Sequence, residues 1–340
     1  MNNNFWLKLK NKSRFRNKPG MTAVPILALA PMAGITDSAF RQVCKYYGAD
    51  VVYTEMVSAD GLYYEGKKTL EFLKFSKKER PVVLQLFGKH PERFTKAAQL
   101  AEQAGFDGID INFGCPAKKV AGHGGGVTLM RDLNKCRQII EAVIAGTKLP
   151  VSIKTRTSIK KDEGIVTALD FIKAIEDLPI TAIMIHGRPY ENPFNAEINY
   201  EMIRLAGQEF LKTHPQGVVL GNGGINTPEE AKKMIELTGC DGVGLARALY
   251  GRPWLFKQIR DYLSKGKFKE VSEKEIKKNM LRHGKFAFKA KGDQGIVELR
   301  KHLLWYVKGW PKARELRAGL VKISNISELK WFIDKGIDKK

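Results

Sequence analysis

The sequence reads Val82-Val83-Leu84-Gln85, then a helical pattern, then Gly108-Ile109-Asp110-Ile111-Asn112: an apolar run that ends on a polar side chain, twice, about one strand and one helix apart. The same unit recurs in both directions. Upstream, Ile26 to Ala30 runs into Pro31-Met32-Ala33-Gly34 and Val51 to Thr54 into Glu55. Downstream, Val151 to Ile153 runs into Lys154, Ile183 to Ile185 into His186, Val218 to Leu220 into Asn222-Gly223-Gly224, and Val243 to Leu245 into Ala246-Arg247. Runs without apolar/polar alternation are strands buried on both faces, as in parallel sheets. Eight of them, separated by helical stretches, predict a (β/α)8 TIM barrel. Strand ends in that fold converge on one face, so these polar residues are expected to form one site.

Charge divides the rest of the 340-residue chain, whose net charge is +22. Residues 1–20 hold six Lys/Arg and no acid, and residues 252–340 hold 24 Lys/Arg against 10 Asp/Glu. The stretch between them is nearly neutral. The reading is therefore a basic, disordered N-terminal arm over 1–20, a catalytic barrel over 21–251, and a basic C-terminal helical bundle over 252–340. Helical periodicity covers residues 274–291, 297–307 and 312–320, punctuated by Gly292, Gly309 and Pro311. A basic domain beside a neutral barrel is the footprint of a polyanion binder. The aromatics Trp305, Tyr306 and Trp310 lie among Lys301, Lys308 and Lys312, which suits either base stacking or packing between helices.

The cysteines, Cys44, Cys115, Cys136 and Cys240, are unpaired in spacing, so neither a metal site nor a disulfide framework is expected, and a reducing, cytoplasmic setting fits. No stretch reads as a membrane span. Cys115 stands apart because it follows the fourth strand, between Gly114 and Pro116, where a thiol projects toward the barrel mouth. The other three read as structural. The glycine run Gly122 to Gly126 lacks phosphate-loop spacing and reads either as a lid that orders over substrate or as an ordinary exposed loop. Asn222-Gly223-Gly224 and Ala246-Arg247 fall where barrels bind a phosphate group, which predicts a phosphorylated cofactor.

Taken together, Ala30-Pro31-Met32-Ala33-Gly34-Ile35-Thr36-Asp37, Asp110-Ile111-Asn112-Phe113-Gly114-Cys115-Pro116, Lys154-Thr155-Arg156, Ile185-His186-Gly187-Arg188 and Gly251-Arg252-Pro253-Trp254 resemble the tRNA-dihydrouridine synthase family, most closely its bacterial B-type branch. The resemblance implies reduction of the 5,6 double bond of particular uridines in tRNA. It implies FMN held by Pro31, Met32, Ala33, Gln85, Lys154, His186, Asn222, Gly223, Gly224, Ala246 and Arg247, with NADPH or NADH as reductant. Cys115 would protonate C5 after hydride reaches C6, acting as an acid and so needing no depressed pKa. Asn112 and Arg156 would contact the target base or its backbone. No metal is implied, and a monomer is the expected state.

Four features depart from the family pattern. Gly224 stands where Asp is usual, Ala246 where Gly is usual, the glycine run is richer, and the N-terminal arm lies outside the resemblance. A backbone phosphate contact survives Ala246 only if its φ is negative. Two other readings compete: an FMN barrel acting on a free pyrimidine, which has no need of a basic domain, and a flavin-free RNA-binding protein on the same fold.

Overall fold

The computed structural model describes residues 4–15 and 24–336. Eight parallel strands close into a barrel: β1 (Ile26–Leu29), β2 (Val51–Ser58), β3 (Val82–Phe87), β4 (Gly108–Phe113), β5 (Val151–Arg156), β6 (Ile180–His186), β7 (Val218–Asn222) and β8 (Gly242–Leu245). Each pairs with the next, and β8 closes on β1 through Ala28 opposite Gly244. The strands are buried on both faces because outward residues such as Leu27, Ile109 and Ile153 pack beneath the surrounding helices. Inward residues, among them Ala28, Val51, Tyr53, Val83, Met184 and Leu220, form a separate interior cluster. Toward the carboxyl ends the interior turns polar, at Gln85, Asp110, Asn112, Ser152 and Arg156, all at most 5% exposed.

The N-terminal arm is the clearest difference from the sequence expectation. Phe5–Phe15 form an α-helix, not a disordered segment; the remainder of the expected arm, residues 1–3 and 16–20, lies outside the described residues. Phe5, Trp6 and Leu9 join the interior cluster from the amino-terminal end of the barrel. Trp6 is completely buried and lies 6.4 Å from the Tyr53 ring. The Lys10 ammonium is also buried there, bonded to the Gly217 carbonyl and 3.4 Å from the Asp241 carboxylate. This helix is a plug for the barrel floor.

The barrel also runs past the expected boundary at residue 251. Leu255, Phe256 and Ile259, on the helix Leu255–Lys265, belong to the barrel core, so that helix completes the eighth βα unit. A short hairpin, Ser158–Lys160 against Ile165–Thr167, leaves the end of β5 and had no counterpart in the sequence reading.

The C-terminal helices are Glu273–Tyr306, Ala313–Leu320 and Ile326–Trp331, around a second core that includes Met280, Ile296, Leu303 and Leu320. The first of these is broken at Lys291-Gly292, where φ at Gly292 is +58°, and its two arms fold back so that His283 meets both Tyr306 and His302. Tyr306 is buried in this core, stacked on Trp254, while Trp305 stacks on Tyr250 at 4.1 Å. For these two aromatics, packing between elements, not base stacking, is what the fold uses. No helix among the described residues is long and apolar enough to cross a membrane.

Candidate active site

The mouth of the barrel is built around the loop that follows β4. Asn112, the next-to-last residue of that strand, accepts hydrogen bonds through Oδ1 from the backbone N–H groups of Gly114 (3.1 Å) and Cys115 (2.9 Å). Its Nδ2 donates to Gln85 Oε1 at 2.8 Å. Both ends of the Asn112 amide are therefore engaged by the protein, and they tie the Cys115 loop to β3. Cys115 is half-buried, and burial raises its pKa, against weaker opposing effects from the Ala117 N–H, Lys154 and Arg156. Protonated thiol is thus the resting form at neutral pH, the form a general acid requires. Cys44, Cys136 and Cys240 are buried.

The glycine run does not behave as one lid. Gly122 to Gly124 are exposed, but Gly125 and Gly126 are buried, and Val127 N–H donates to the Cys115 carbonyl at 3.3 Å. The second half of the run is a wall against which the thiol loop rests.

Cations crowd the other side of the mouth. Arg156 donates from Nε to the Gly114 carbonyl at 2.7 Å and from Nη1 to the Arg188 carbonyl at 3.1 Å. Burial, aided by repulsion from Arg188 and Arg247, brings its pKa down to about 10. Burial together with Arg156 brings Lys154 down to about 8. His186 is held well below its ordinary value by burial, then by Lys154, Arg156 and Arg188. Its Nδ1 faces two donors, the Arg188 N–H and Arg156 Nη1, so the neutral ring carries its proton on Nε2. Lys154 is in turn offset by the Asp110 carboxylate, and Arg156 by the carbonyls it bonds.

A recess of about 90 Å³ lies beside these groups, lined by His186, Arg188, Asn222 to Asn226, Gly244 and Ala246 to Ala248. Gly223 adopts φ +98°, and a Cβ there would come within 3.0 Å of His186 Nε2. Only glycine leaves that imidazole N–H open to the recess. Gly224 is matched to its surroundings in a similar way, since a Cβ would meet Ile198 at 2.6 Å. Ala246 has φ −132°, so the condition set for a backbone contact at that position is met. Arg247 is exposed, its guanidinium 5.0 Å from the centre of the Phe194 ring. The turn after β1 is tied by Thr36, whose backbone N–H and hydroxyl both bond Met32, leaving Pro31 and Met32 half-buried and Ala33 exposed at the rim.

The residues named from the sequence lie at the carboxyl-terminal ends of the strands and in the loops that follow them; Gln85 and Asn112 are buried there with both amide ends bonded within the protein, and Arg247 is exposed. Asp110 was missed as a member of the site. It is fully buried, accepts from Gln85 Nε2 (2.7 Å) and Ser152 Oγ (2.7 Å), and burial raises its pKa to about 6. A carboxylate two residues before Asn112, in the same inward phase of an otherwise apolar strand, was the signal. No cluster of three or more His, Cys, Asp or Glu able to hold a metal occurs among the described residues.

Comparison with known proteins bears on this geometry. The dihydrouridine synthase (Dus) family model matches residues 28–339. The tRNA-dihydrouridine synthase B of Pseudomonas aeruginosa is 36% identical over 296 residues, covering 86% of each chain. That of Pseudomonas syringae pv. tomato is 35% identical over 294 residues, covering 86% of this chain and 85% of the other. A probable tRNA-dihydrouridine synthase 1 from Synechocystis is 32% identical over 311 residues, covering 91% of this chain and 85% of the other. Among solved structures, histamine dehydrogenase from a Rhizobium species superposes with a TM-score of 0.54 at 11% identity, over 82% of this chain and 51% of that one. This chain spans about half the length of that structure, and the likeness is one of fold.

Proposed function

The chain belongs to the dihydrouridine synthase family, and from that premise we propose that it reduces uridines of tRNA to 5,6-dihydrouridine, with Cys115 as the proton donor. The observation that supports the reading is a half-buried thiol on a loop tied by Asn112 at the end of β4, in a barrel whose β6 to β8 ends form a glycine-lined recess with Arg188 and Arg247.

The residues present fit a phosphorylated flavin, FMN. The recess offers an anion the guanidinium groups of Arg188 and Arg247 and the backbone from Asn222 to Gly224, with no carboxylate among its lining residues; the His186 Nε2 N–H, kept open by Gly223, borders it. Gln85, Lys154 and His186 would hold the ring's polar edge; Asn222, Gly223, Gly224, Ala246 and Arg247 would hold the phosphate; Pro31, Met32 and Ala33 would line one side. Bound there and reduced by NADPH or NADH, the flavin supplies the hydride.

Uracil's 5,6 bond is conjugated to the C4 carbonyl, so hydride addition at C6 leaves negative charge on C5 and O4, and a proton must arrive at C5. Cys115 Sγ–H delivers it. Arg156, bonded to the Gly114 carbonyl beside the thiol, holds a positive charge close to where negative charge develops. A uridine in folded tRNA has to be swung out to reach this depth. The basic helical domain, +14 over residues 252–340, supplies phosphate contacts for the rest of the molecule. All of these residues come from one chain, so a monomer suffices, and four free thiols suit the cytoplasm.

Dihydrouridine is to be mapped in tRNA from a strain lacking the protein and from the same strain carrying either wild type or Cys115→Ala. Loss of dihydrouridine at defined positions, restored by wild type and reduced ~10²-fold or more in rate by Cys115→Ala, is the expected result. Unchanged dihydrouridine in the deletion strain would overturn the reading.

A further inference from the structure

Hydrogen-bond polarity runs in one direction from the thiol loop to the barrel interior. The backbone N–H groups of Gly114 and Cys115 need an acceptor, so the atom of Asn112 facing them is oxygen. The Asn112 amide nitrogen then has to face Gln85, which must present Oε1. That leaves Gln85 Nε2 pointing to the interior, where only an acceptor satisfies it, and Asp110 Oδ2 is that acceptor. Asp110 Oδ1 takes a further bond from Ser152, beside the Tyr53 hydroxyl and above Trp6 of the plug. Gln85 and Asp110 have no exposure, and Asn112 has 4%. A reversed amide anywhere in the series would set donor against donor in a place water does not reach.

We propose that Asp110 is a positioning residue, which sets the orientation of the Gln85 amide and, through Gln85 and Asn112, the geometry of the Cys115 loop. The inference rests on the reading of Gln85 as a flavin contact and of Cys115 as the acid, and it ties the two sides of the site to one buried carboxylate. Its role is acceptance rather than charge. An amide at position 110 can still accept from Gln85 through its oxygen while its nitrogen donates to Ser152 Oγ, whose own hydroxyl can turn to the Ile109 carbonyl at 3.4 Å. An isosteric apolar side chain cannot accept at all.

The test compares wild type, Asp110→Asn and Asp110→Leu in the full chain, using two readouts. The first is the rate of Cys115 alkylation by iodoacetamide without flavin or RNA, resolved by peptide mass. Cys136 and Cys240, both buried, serve as controls for general loosening. The second is FMN affinity from quenching of flavin fluorescence. Asp110→Leu is expected to speed Cys115 alkylation at least about threefold and to weaken FMN binding about tenfold, the scale of one unsatisfied buried donor, while Asp110→Asn stays within about threefold of wild type in both. The control cysteines stay slow throughout. Wild-type values in Asp110→Leu, or equal acceleration at the control cysteines, would overturn the proposal. If Asp110→Leu does not fold, Gln85→Leu breaks the next bond in the series and carries the same expectation for alkylation. Failure of the wild-type protein to bind FMN would instead strike the functional reading, with alkylation still deciding the role of Asp110.

Discussion

Gly126 is pressed against Cys115: a Cβ built on it would lie 2.8 Å from the Cys115 carbonyl oxygen and 3.3 Å from the Cys115 Cβ, at a backbone φ of +63°. Substitution to Ala has to move the thiol loop or strain the backbone. Gly126→Ala is expected to lower the rate of dihydrouridine formation about tenfold or more, since an ångström of misplacement is costly at a reacting atom. FMN affinity should change by less than about threefold, on the same reasoning that the flavin recess is untouched. Gly124→Ala is the control. It shares a positive φ, +78°, but its Cβ would meet only the flexible end of Lys89 at 3.4 Å, so it should lose stability without losing rate.

Lys154, brought down to about 8, gives flavin binding a pH dependence of defined sign. With Lys154 at the ring's polar edge, as proposed, its charged form is the stronger donor and attracts a ligand that is anionic overall, so affinity should decline as pH rises through 8, by up to about a decade per unit, while the flavin phosphate, with a second pKa of about 6, is already dianionic. Fluorescence titrations from pH 6.5 to 9.5 read this directly. Lys154→Met should bind weakly at pH 7 and show a flat profile over the same range.

Removal of the floor plug should be a matter of stability. Trp6→Ala empties a fully buried site against Phe5 and Tyr53, and about 3–5 kcal/mol is expected from urea unfolding. Trp6→Phe should cost much less, below about 1.5 kcal/mol, because the Trp6 Nε1 has no hydrogen-bond partner among the described residues to lose. A Trp6→Ala protein with wild-type stability would show that the plug is dispensable.

His283 and His302 meet in the helical domain against Phe40 of the barrel, and burial pushes His283 down to about 3 and His302 well below its usual value. Lys301 repels both charged forms, and the Tyr306 hydroxyl bonds His283 Nδ1. Between pH ~6.5 and about 3 the unfolded chain binds protons that the folded chain refuses, so stability rises with pH across that window and is lost on acidification. Each histidine contributes a slope of up to about 1.4 kcal/mol per pH unit. His302→Leu should flatten the profile and leave stability at pH 7 unchanged or higher, since neither ring nitrogen has a hydrogen-bond partner among the described residues to lose. An unaltered acid limb in that variant would sink the prediction.

The strands could be read because burial on both faces leaves its mark in composition, as at Val151 to Ile153, and the site because each polar residue interrupts an apolar run. Three features left weaker traces. Phe5, Trp6 and Leu9 make one apolar stripe, but among Asn, Lys and Arg the stripe looked like solvated chain; what orders it is a seat made by β1, β2 and β7, residues far away in sequence. Asp110 was hidden because buried carboxylates are rare, and its partners, Gln85 and Ser152, come from neighbouring strands. Strand signal ends by residue 251, whereas Leu255, Phe256 and Ile259 still pack into the barrel core. Trp305 and Tyr306 lie among lysines in sequence, yet in three dimensions they meet Tyr250 and Trp254.

The bond from Lys10 to the Gly217 carbonyl and its ion pair with Asp241 join positions 207 or more residues apart. During synthesis the plug segment leaves the ribosome well before Gly217 and Asp241 do. Until they have emerged, the apolar stripe of Phe5, Trp6 and Leu9 has no complete seat and is open to chaperones or a wrong partner. Seating of the stopper therefore waits on closure of the cylinder, and bulk joined close to the Phe5–Phe15 helix would burden that event rather than the chemistry.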